Sequence, residues 1–476
     1  MYIGLDLGTS GLKAILMDDA QRILTEATAP LTVQRPAESW SEQAPAEWIA
    51  AAETVLGLLA EDHPLDHVRG IGLSGHMHGA VLLDSADNVL RPCILWNDTR
   101  AHREAAELDA DPQFREISGN IVFPGFTAPK LVWVARNEPA IFEKVAKVLL
   151  PKDYLRLWLT GEHVGDMSDA AGTSWFDTGA RDWSDALLAA SGMRRDQMPA
   201  LVEGSAPSGR LRPALAAKLR LSPQVVVAGG AGDNAASALG VGVVRRGEAF
   251  VSLGTSGVLF AADDGYRPDP ATAVHTFCHA IPDTWHQMGV ILAATDALNW
   301  WSRIAGAGAA DLVRALGSDV AAPGKTRFLP YLGGERTPLN DAAIRAGFLG
   351  LEHATDRDAM TRAVLEGVAF AIRDCRDALA ATGTRIDSLL AVGGGSRSDY
   401  WLGVIATVLG TPVSLPVAGD FGGAFGAARM GMMAVEGAGV EICTQPEIAR
   451  VIEPVTALRP AFDDGYARWR GSRDAL

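Results

Sequence analysis

The sequence predicts an α/β protein built from two related domains. Strand-like runs alternate with Ala- and Leu-rich helical stretches along the chain, the pattern of a sheet covered by helices. One five-residue word, Leu-Gly-Thr-Ser-Gly, occurs at 7–11 and again at 253–257, once near the start of each half. Both copies have the same kind of neighbours, which indicates a repeated structural unit.

The repeated word lies between two apolar runs in each half. Strand-like residues precede it at 2–6 and 249–252, and apolar returns follow it at 12–16 and 258–260. A Gly-rich turn between such runs is typical of a β-hairpin. Chance is the alternative, because Gly, Thr and Ser are common turn residues. The matched flanks favour two domains, 1–243 and 244–476, that each open with the same hairpin.

Local patterns predict further elements in chain order. The first hairpin is predicted as strands over 1–5 and 11–17. Pro45 and apolar residues at helical spacing predict a helix over 45–59, and a strand over 67–73 follows. Later, a strand over 224–227 leads to a helix over 234–240, and glycines 393–395 lie between a strand over 388–392 and a helix over 400–409. Strand, glycine turn and helix is the pattern of many nucleotide and phosphate sites.

Composition limits the classes of partner. The 476 residues are 48% hydrophobic and 21% charged, enough apolar material for two cores. A formal net charge of −15 argues against binding nucleic acid or an anionic membrane surface. The chain opens directly on a strand pattern, without a leader-like segment or a long apolar run, so we expect a cytoplasmic protein.

The four cysteines are scattered, which favours reduced thiols over a metal or redox motif. They show no CxxC spacing, and a disulfide is the alternative interpretation. They are Cys93, Cys278, Cys375 and Cys443.

The first hairpin turn has the chemistry of a phosphate site. Thr9 and Ser10 offer hydroxyl groups, and we expect Gly8 and Gly11 to allow a positive φ that turns backbone N–H groups toward an anion. Asp6 precedes this turn, and a carboxylate beside phosphates requires a cation between them. Magnesium, held by one carboxylate, waters and phosphate oxygens, fits that need. The alternative is a buried aspartate at a strand end that caps the turn.

Asp233 is the candidate catalytic residue. It follows Gly229-Gly230-Ala231-Gly232, and these small residues leave room for its carboxylate to face a ligand. A carboxylate in such a place can orient a ligand hydroxyl and accept its proton. A helix N-cap before Asn234 is the alternative role.

Several motifs, in this order, resemble the FGGY carbohydrate kinases. They are 3–10 (IGLDLGTS), 125–133 (GFTAPKLVW), 329–338 (LPYLGGERTP), 347–351 and 363–366. The resemblance extends from residue 1 to about 435. It implies two actin/hexokinase/Hsp70-like (ribonuclease H-like) domains with a deep interdomain cleft. It also implies ATP and Mg²⁺ as cofactors, Asp233 as catalytic base, and Asp6 as a second catalytic residue that holds Mg²⁺ through water.

The loop at 74–79 (SGHMHG) bears on the sugar. Met77-His78 resembles the family members that act on D-xylulose, which usually have Gln where His76 stands; members that act on glycerol carry Arg-Glu at the pair. The resemblance therefore implies phosphorylation of D-xylulose to D-xylulose 5-phosphate. A ribulose, fuculose or glycerol kinase of the same family is the alternative. For the two histidines themselves, the alternatives are a metal site or a solvated loop.

The resemblance assigns the remaining site residues. The segment 96–100 (WNDTR) resembles the lining of the family's sugar cleft, although an Asp98–Arg100 pair that stabilises a loop is an equal alternative. The residues expected to bind sugar are Met77, His78, Asp233, Asn234, Asn97, Asp98 and Arg100. Those expected to bind ATP are Thr9, Ser10, Lys13, Gly254, Thr255, Gly394, Gly395 and Asp399.

Four further points complete these assignments. The family more often has Asn where Asp399 stands, and simple turn formation is the alternative for every glycine. Residues 420–429 are expected to form a loop and a small-residue helix under the nucleotide. Segments 152–155 and 166–175 also resemble the D-xylulose group and are assigned to shape, not chemistry.

Two other classes of function fit the fold but lack a required part. An ATP-driven clamp of the Hsp70 type needs an additional peptide-binding domain. A sugar-sensing regulator needs a basic DNA-reading helix, and none is visible in the sequence. We therefore expect an enzyme whose partners are a ketopentose and ATP, with a homodimer as the assembly to consider.

Overall fold

The computed structural model describes residues 1–417 and 421–475. The chain forms two compact units, each assembled from three stretches of sequence. The first contains Met1–Val244, Phe277–Trp285 and Asp420–Gln445, and the second contains Arg245–Thr276, His286–Gly419 and Pro446–Leu476. The domain limits predicted at 243 and 244 stay a prediction.

Strands and helices alternate along the chain, as the sequence predicts. The strands before residue 244 are β1 (Tyr2–Leu7), β2 (Gly11–Met17), β3 (Ile23–Pro30), β4 (Glu42–Gln43), β5 (Gly70–Gly75), β6 (Val81–Leu83), β7 (Cys93–Ile94), β8 (Lys147–Leu149), β9 (Val164–Asp166), β10 (Phe176–Asp177), β11 (Asp182–Trp183), β12 (Ala200–Val202), β13 (Pro207–Arg210), β14 (Val226–Ala228) and β15 (Ala231–Gly232). Those after it are β16 (Gly247–Leu253), β17 (Gly257–Asp263), β18 (His275–Cys278), β19 (Trp285–Ile291), β20 (Arg327–Leu329), β21 (Gly347–Leu349), β22 (Ile386–Val392), β23 (Val413–Pro416) and β24 (Ile448–Ile452).

The helices, like the strands, lie on both sides of residue 244. Those before residue 244 are α1 (Pro45–Asp62), α2 (His102–Asp109), α3 (Pro112–Ser118), α4 (Thr127–Asn137), α5 (Pro139–Phe142), α6 (Pro151–Thr160), α7 (Met167–Ala170), α8 (Asp185–Ala190), α9 (Pro213–Leu219) and α10 (Asp233–Gly240). Those after it are α11 (Thr295–Ala305), α12 (Ala309–Ala315), α13 (Arg357–Ala381), α14 (Asp399–Leu409), α15 (Gly423–Glu436) and α16 (Arg459–Arg473).

The two large sheets share the arrangement of their central strands. The first has the order β13-β14-β5-β1-β2-β3, with β15 also paired to β5, and the second has the order β18-β19-β17-β16-β22-β23-β24. In both, a hairpin is extended on one side by parallel strands: β5 and then β14 beside β1, and β22 and then β23 beside β16. Both copies of the repeated word therefore connect the strands of equivalent hairpins, which confirms the predicted repeat.

Glycines bring helix α15 against the first sheet. A Cβ on Gly72 would lie 1.7 Å from the carbonyl oxygen of Ala427, and one on Gly4 would lie 1.9 Å from that of Ala424. Only a residue without a side chain tolerates such an approach of helix and strand backbones. The helix begins at Gly423, directly beside the carboxylate of Asp6, so this packing also shapes the first hairpin turn.

Most predicted elements differ from the structure only at their ends. The strand predicted over 67–73 starts later, at Gly70, because the chain first makes a turn in which the Val68 N–H donates to the Leu65 carbonyl at 3.0 Å. The four cysteines are buried thiols, and none forms a disulfide within the described chain. Among the described residues, no helix is both long and apolar enough to cross a membrane.

Candidate active site

Three parallel strands of the first unit end at the same edge of the sheet. Asp6 on β1 pairs with Ser74 on β5, and Ser74 pairs in turn with Ala231 on β15. Asp233 comes immediately after β15, at the first position of α10. The fold therefore brings the two aspartates that the sequence singled out to one edge of one sheet.

The Asp6 carboxylate lies against the strand beside it. It accepts a hydrogen bond from the Ser74 hydroxyl at 2.7 Å. Burial raises the pKa of Asp6, against a smaller lowering effect from the Ser74 hydrogen bond and the charge of Lys13. Lys13 pairs with Asp6 across the hairpin and forms an ion pair with Glu26 at 2.9 Å.

The glycines of the first turn serve a different purpose from the one predicted. Neither Gly8 nor Gly11 adopts a positive φ. A Cβ on Gly11 would instead lie 2.9 Å from the carbonyl oxygen of Ala29 on the next strand, and the Gly8 N–H donates to the Gly11 carbonyl at 2.9 Å. Close backbone approach therefore explains the glycine at position 11.

Thr9 and Ser10 occupy the tip of this turn, where the sequence predicts a phosphate. The Thr9 hydroxyl accepts a hydrogen bond from the indole N–H of Trp96 at 2.9 Å, and its carbonyl accepts one from Gln43 at 2.7 Å. Ser10 is exposed, and its carbonyl accepts from Leu31 at 2.9 Å. The turn is therefore anchored from three directions while its tip stays accessible.

Asp233 has the electrostatic character of a proton acceptor that operates near neutral pH. Burial, and secondarily the negative charge of Asp6, raises the pKa of Asp233 to about 6. Its Oδ1 accepts hydrogen bonds from the Asn234 backbone at 2.8 Å and from the Asn234 side-chain amide at 3.0 Å. The N-cap position of α10 belongs to Gly232, so Asp233 does not have the capping role that was the alternative.

The Asp6 and Asp233 pair fits a hard cation. Burial raises the pKa of both carboxyls, and the negative charge of Asp6 further disfavours the ionised form of Asp233. Mg²⁺ is usually bound in proteins through one or two carboxylates together with waters and phosphate oxygens. The chemistry of these donors therefore suits the predicted metal, with Asp6 as the residue beside the first hairpin turn.

His78 is held in an unusual backbone conformation. Its φ is 71°, in the left-handed region that residues other than glycine seldom occupy. Its carbonyl accepts hydrogen bonds from Lys130 at 2.7 Å and Thr127 at 3.2 Å, and its ring stacks on Phe126 at 4.4 Å. Nδ1 lies 2.7 Å from the Gly172 carbonyl. Since a carbonyl only accepts, Nδ1 carries the proton.

Met77 connects the loop at 74–79 to the residues before Asp233. Its side chain is 6% exposed. A Cβ on Gly232 would lie 2.7 Å from Met77 Cγ and Sδ, and one on Gly172 would lie 3.0 Å from Met77 Cε. The Met77-His78 pair, predicted from one motif, therefore lies beside the residue that precedes Asp233, which was predicted from another.

His76 belongs to the interior. It is 3% exposed, and its ring makes an edge contact with Trp48 at 5.7 Å. Neither ring nitrogen has a hydrogen-bond partner among the described residues. Burial, assisted by the charge of Lys130, lowers the pKa of His76 to about 3, so the ring is neutral at physiological pH.

The segment after β7 contains the ion pair that the sequence offered as an alternative. Arg100 bonds the Asp98 carboxylate at 2.7 Å and Glu42 at 2.7 Å, and Asp98 and Arg100 are both buried. Asn97 is only partly buried, and its Oδ1 has no hydrogen-bond partner among the described residues. Sugar contact by these three residues stays a prediction, and Asn97 has the acceptor available for it.

In the second unit, hydrogen bonds connect the repeated turn at 253–257 to the start of helix α11. The Gly254 carbonyl accepts hydrogen bonds from the Thr295 backbone at 2.9 Å and the Thr295 hydroxyl at 2.7 Å, at the start of α11. The Thr255 carbonyl accepts from Ala294 at 2.8 Å. A Cβ on Gly395 would lie 2.8 Å from that of Leu253, so the second glycine turn packs directly against the hairpin.

A pocket of about 710 Å³ in the second unit adjoins these turns. Apolar side chains of α11 and α12 form one side, and Gly394, Gly395 and Asp399 form another. This size and mixed lining are typical of small-molecule sites. The lining residues are Thr295, Leu298, Asn299, Ala309, Ala310, Val313, Arg314, Gly317, Ser318, Gly394, Gly395, Arg397, Ser398, Asp399, Tyr400 and Trp401.

Asp399 has a partner within the protein. Its carboxylate forms an ion pair with Arg450 at 2.5 Å, at the edge of the pocket. The helix predicted within 420–429 is present as the start of α15, which belongs to the first unit, and its place under the nucleotide stays a prediction. Asp420 lies outside the described residues.

Three residues contribute to the site without having been predicted as site residues. Trp96 is 47% exposed while its indole N–H contacts Thr9, and Ser74 donates to Asp6. Lys130 is fully buried and bonds the carbonyls of His78 and Gly125. A lysine inside an apolar motif was the available signal. The Ser74 contact depends on the pairing of β1 with β5, and the Trp96 contact depends on how the loop after β7 packs.

Comparisons with known proteins agree on one family. Residues 1–240 match the N-terminal domain of the FGGY family of carbohydrate kinases, and residues 249–435 match its C-terminal domain. A xylulose kinase of Escherichia coli (strain K12) is 48% identical over 436 residues, which cover 91% of this chain and 90% of that protein.

Solved structures give the same result. A crystal structure described as a xyloylose kinase from Brucella ovis has 63% sequence identity and a TM-score of 0.99, covering 100% of this chain and 99% of that one. A xylulose kinase from Rhodospirillum rubrum has 31% identity and a TM-score of 0.93, covering 100% and 98%. The predicted fold and the predicted class of enzyme, an ATP-dependent carbohydrate kinase, are confirmed, and the chain belongs to the FGGY family of carbohydrate kinases.

Proposed function

We propose that the protein transfers the γ-phosphate of ATP to D-xylulose, producing D-xylulose 5-phosphate, with Mg²⁺ as the metal and Asp233 as general base. The main support for this proposal is that Asp6, Met77, His78 and Asp233 lie near one another in the first unit, as described above. The xylulose kinases among its relatives support the choice of sugar.

Asp233 would orient the reacting hydroxyl and accept its proton. Its raised pKa, about 6, gives a carboxylate that is mostly ionised at pH 7 and more basic than an ordinary aspartate. The hydrogen bonds from Asn234 fix its Oδ1, which leaves Oδ2 to face the hydroxyl. The loose transition state of phosphoryl transfer makes positioning the main contribution of such a residue.

The sugar would be held by Met77, His78, Asn234 and Asn97. The protonated Nδ1 of His78 points at Gly172, so in the neutral ring Nε2 is a hydrogen-bond acceptor suited to a sugar hydroxyl. Met77 offers an apolar surface for the carbon chain. In this proposal the domain 1–243 binds the sugar.

The domain 244–476 would bind ATP. The pocket beside Gly394 and Gly395 suits the nucleoside, and the Gly254–Thr255 turn suits its phosphates. Thr9, Ser10 and Lys13 would contact phosphates from the first unit. Asp6 would hold Mg²⁺ through water, and the bound cation would neutralise charge on the phosphate oxygens. Asp399 would act at the pocket edge through its pair with Arg450.

The test is ADP release with Mg-ATP, measured against D-xylulose, L-ribulose, D-ribulose, L-fuculose and glycerol, with a sugar-free control. We expect the highest kcat/KM for D-xylulose. Phosphorylation at the terminal hydroxyl is checked by ³¹P and ¹³C NMR of the product. A preference for another polyol would retain a kinase of this family and remove the assignment of D-xylulose.

A further inference from the structure

A buried ionic cluster lies behind the residues that lead to Asp233. Lys152, at the start of α6, is fully buried, and its Nζ contacts Asp153 at 2.6 Å, Asp166 at 2.5 Å and Asp169 at 3.1 Å. Arg156, one turn later on α6, is also fully buried and contacts Asp153 at 2.8 Å. We call these five residues the lysine cluster.

The lysine cluster is a closed ionic network. Its three carboxylates lie close enough together to hold a metal ion, but Lys152 Nζ already contacts all three. Burial opposes the charge of Lys152, yet the three carboxylates raise its pKa above the usual range. Burial raises the pKa of Asp169 well above its ordinary value, against the lowering effect of the Lys152 charge.

Hydrogen bonds connect this cluster to both ends of the segment before Asp233. Arg156 donates to the Gly229 carbonyl. At the other end, the Ser168 hydroxyl donates to Asp166 at 2.5 Å and accepts from the Gly232 N–H at 3.2 Å. Residues 229–232 are therefore fixed at their first and last members by groups that the cluster orients.

The lysine cluster is also connected to His78, which is predicted to bind sugar. Asp166 caps α7, accepting from the backbone N–H groups of Ser168 and Asp169. The turn that follows α7 contains Gly172, whose carbonyl contacts His78 Nδ1 at 2.7 Å. One buried network thus supports the residue proposed as base and the residue proposed to bind sugar.

Stability alone is a weak explanation for such a network. Replacing a buried ion pair with apolar residues of similar volume is often neutral or stabilising, because desolvation offsets the attraction between the charges. The connections of the lysine cluster, by contrast, lead to the backbone on both sides of the proposed site. A role in fixing the backbone near the proposed site accounts for the presence of buried charges and for their connections.

We propose that Lys152 is a positioning residue for phosphoryl transfer, acting through Asp166 and Ser168 on Gly232 and hence on Asp233. This proposal rests on the proposed function, since it assumes that Asp233 is the base. Lys152 itself contacts no reacting atom. It sets the orientation of the Asp166 carboxylate, which in turn orients the Ser168 hydroxyl.

The experiment compares Lys152→Met and Ser168→Ala with wild type, using the sugar that wild type prefers. For Lys152→Met we expect kcat to fall by about 10- to 100-fold, as for a small misplacement of a reacting group, while the KM for ATP stays within twofold. Ser168→Ala removes only the bridging hydroxyl, and we expect a fall of several-fold in kcat with the same unchanged KM for ATP.

Arg473→Met is the matched control. Arg473 is a buried cation paired with Asp374 in the second unit, and Asp374 also bonds Tyr466. Its loss lowers thermal stability and leaves kcat per folded molecule within twofold. A kcat within twofold of wild type for folded Lys152→Met would overturn the proposal; should that variant not fold, an unchanged kcat for Ser168→Ala has the same meaning.

A second measurement does not require turnover. Amide hydrogen exchange at Gly232 in the ligand-free protein should be faster in Ser168→Ala and Lys152→Met than in wild type, and unchanged in Arg473→Met. A wild type that phosphorylates no sugar would defeat the proposed function and with it the role of Lys152 in phosphoryl transfer. Exchange at Gly232 would then show only whether Lys152 fixes the Gly232 backbone. Unchanged exchange in both variants would remove the connection that the proposal needs.

Discussion

The Asp233 carboxyl differs from a surface aspartate because protein surrounds it and a second carboxylate lies close by. Both effects disfavour its ionised form, burial more than Asp6, and together they raise its pKa to about 6. A general base works only when ionised. The pH dependence of the reaction should therefore include the ionisation of Asp233.

We predict that kcat/KM for the sugar, measured with ATP well below its KM, decreases about tenfold for each pH unit below about 6. Asp6→Asn removes the neighbouring negative charge, so the pKa of Asp233 falls and the decrease begins at a lower pH. The measurement is a pH–rate profile of both proteins. A profile with no decrease between pH 7 and 5 would contradict the assignment of Asp233 as base.

Removal of the base itself should affect turnover far more than binding. For Asp233→Asn we predict a fall in kcat of roughly 10²–10⁴-fold, the usual contribution of a general base, with little change in the KM for ATP. Asp66→Asn, on an exposed surface of the same unit, is the control and should behave as wild type. Steady-state kinetics of purified, folded variants decides the question.

His76 shows how burial decides the role of a residue in a binding motif. The usual glutamine of this loop is replaced, but the ring packs on Trp48 and is neutral, so it does not present a charge to a ligand. We predict that His76→Gln leaves the ratio of kcat/KM for D-xylulose to that for L-ribulose within threefold. A large change in that ratio would show that His76 acts on specificity.

At the scale of elements, the contact of α15 with β1 and β5 depends on missing side chains. We predict that Gly72→Ala destabilises the protein by about 1–3 kcal/mol or more, because its Cβ would lie 1.7 Å from a carbonyl oxygen. Gly57→Ala, within helix α1, is the matched control. A Cβ there meets no atom within 4 Å, so the better helix former should stabilise by roughly 0.5–1 kcal/mol.

Urea unfolding of the two glycine variants measures both effects. Equal stabilities would show that helix and strands separate easily to admit a methyl group. That outcome would also place the start of α15, and the neighbourhood of Asp6, under less constraint than the structure indicates.

At the scale of the whole molecule, neither unit is a continuous piece of chain. The first unit includes Phe277–Trp285 and Asp420–Gln445, and α15 in that last stretch covers β1 and β5. We predict that a fragment of residues 1–243 does not fold natively, because it exposes the apolar face that α15 covers. Near-UV circular dichroism of the fragment tests this, and a native spectrum with cooperative unfolding would contradict it.

The sequence by itself determined the alternation of strands and helices, the repeated hairpin, the family and the pair of aspartates. Short sequence patterns are enough to predict these features, because hairpin turns, helical spacing and family motifs each depend on residues that are neighbours in the sequence. Element ends were close to the structure for the same reason. The strand over 11–17 and the helix over 234–240 needed little beyond their own residues.

Only the tertiary structure decided which distant residues act together. Asp6, Ser74 and Ala231 share one row because three strands pair in parallel, and α15 joins the first unit across nearly the whole chain. The raised pKa of Asp233, the burial of His76 and the bonds of the lysine cluster all come from such packing. Side-chain charge and desolvation depend on neighbours brought together by folding, and no local pattern records those neighbours.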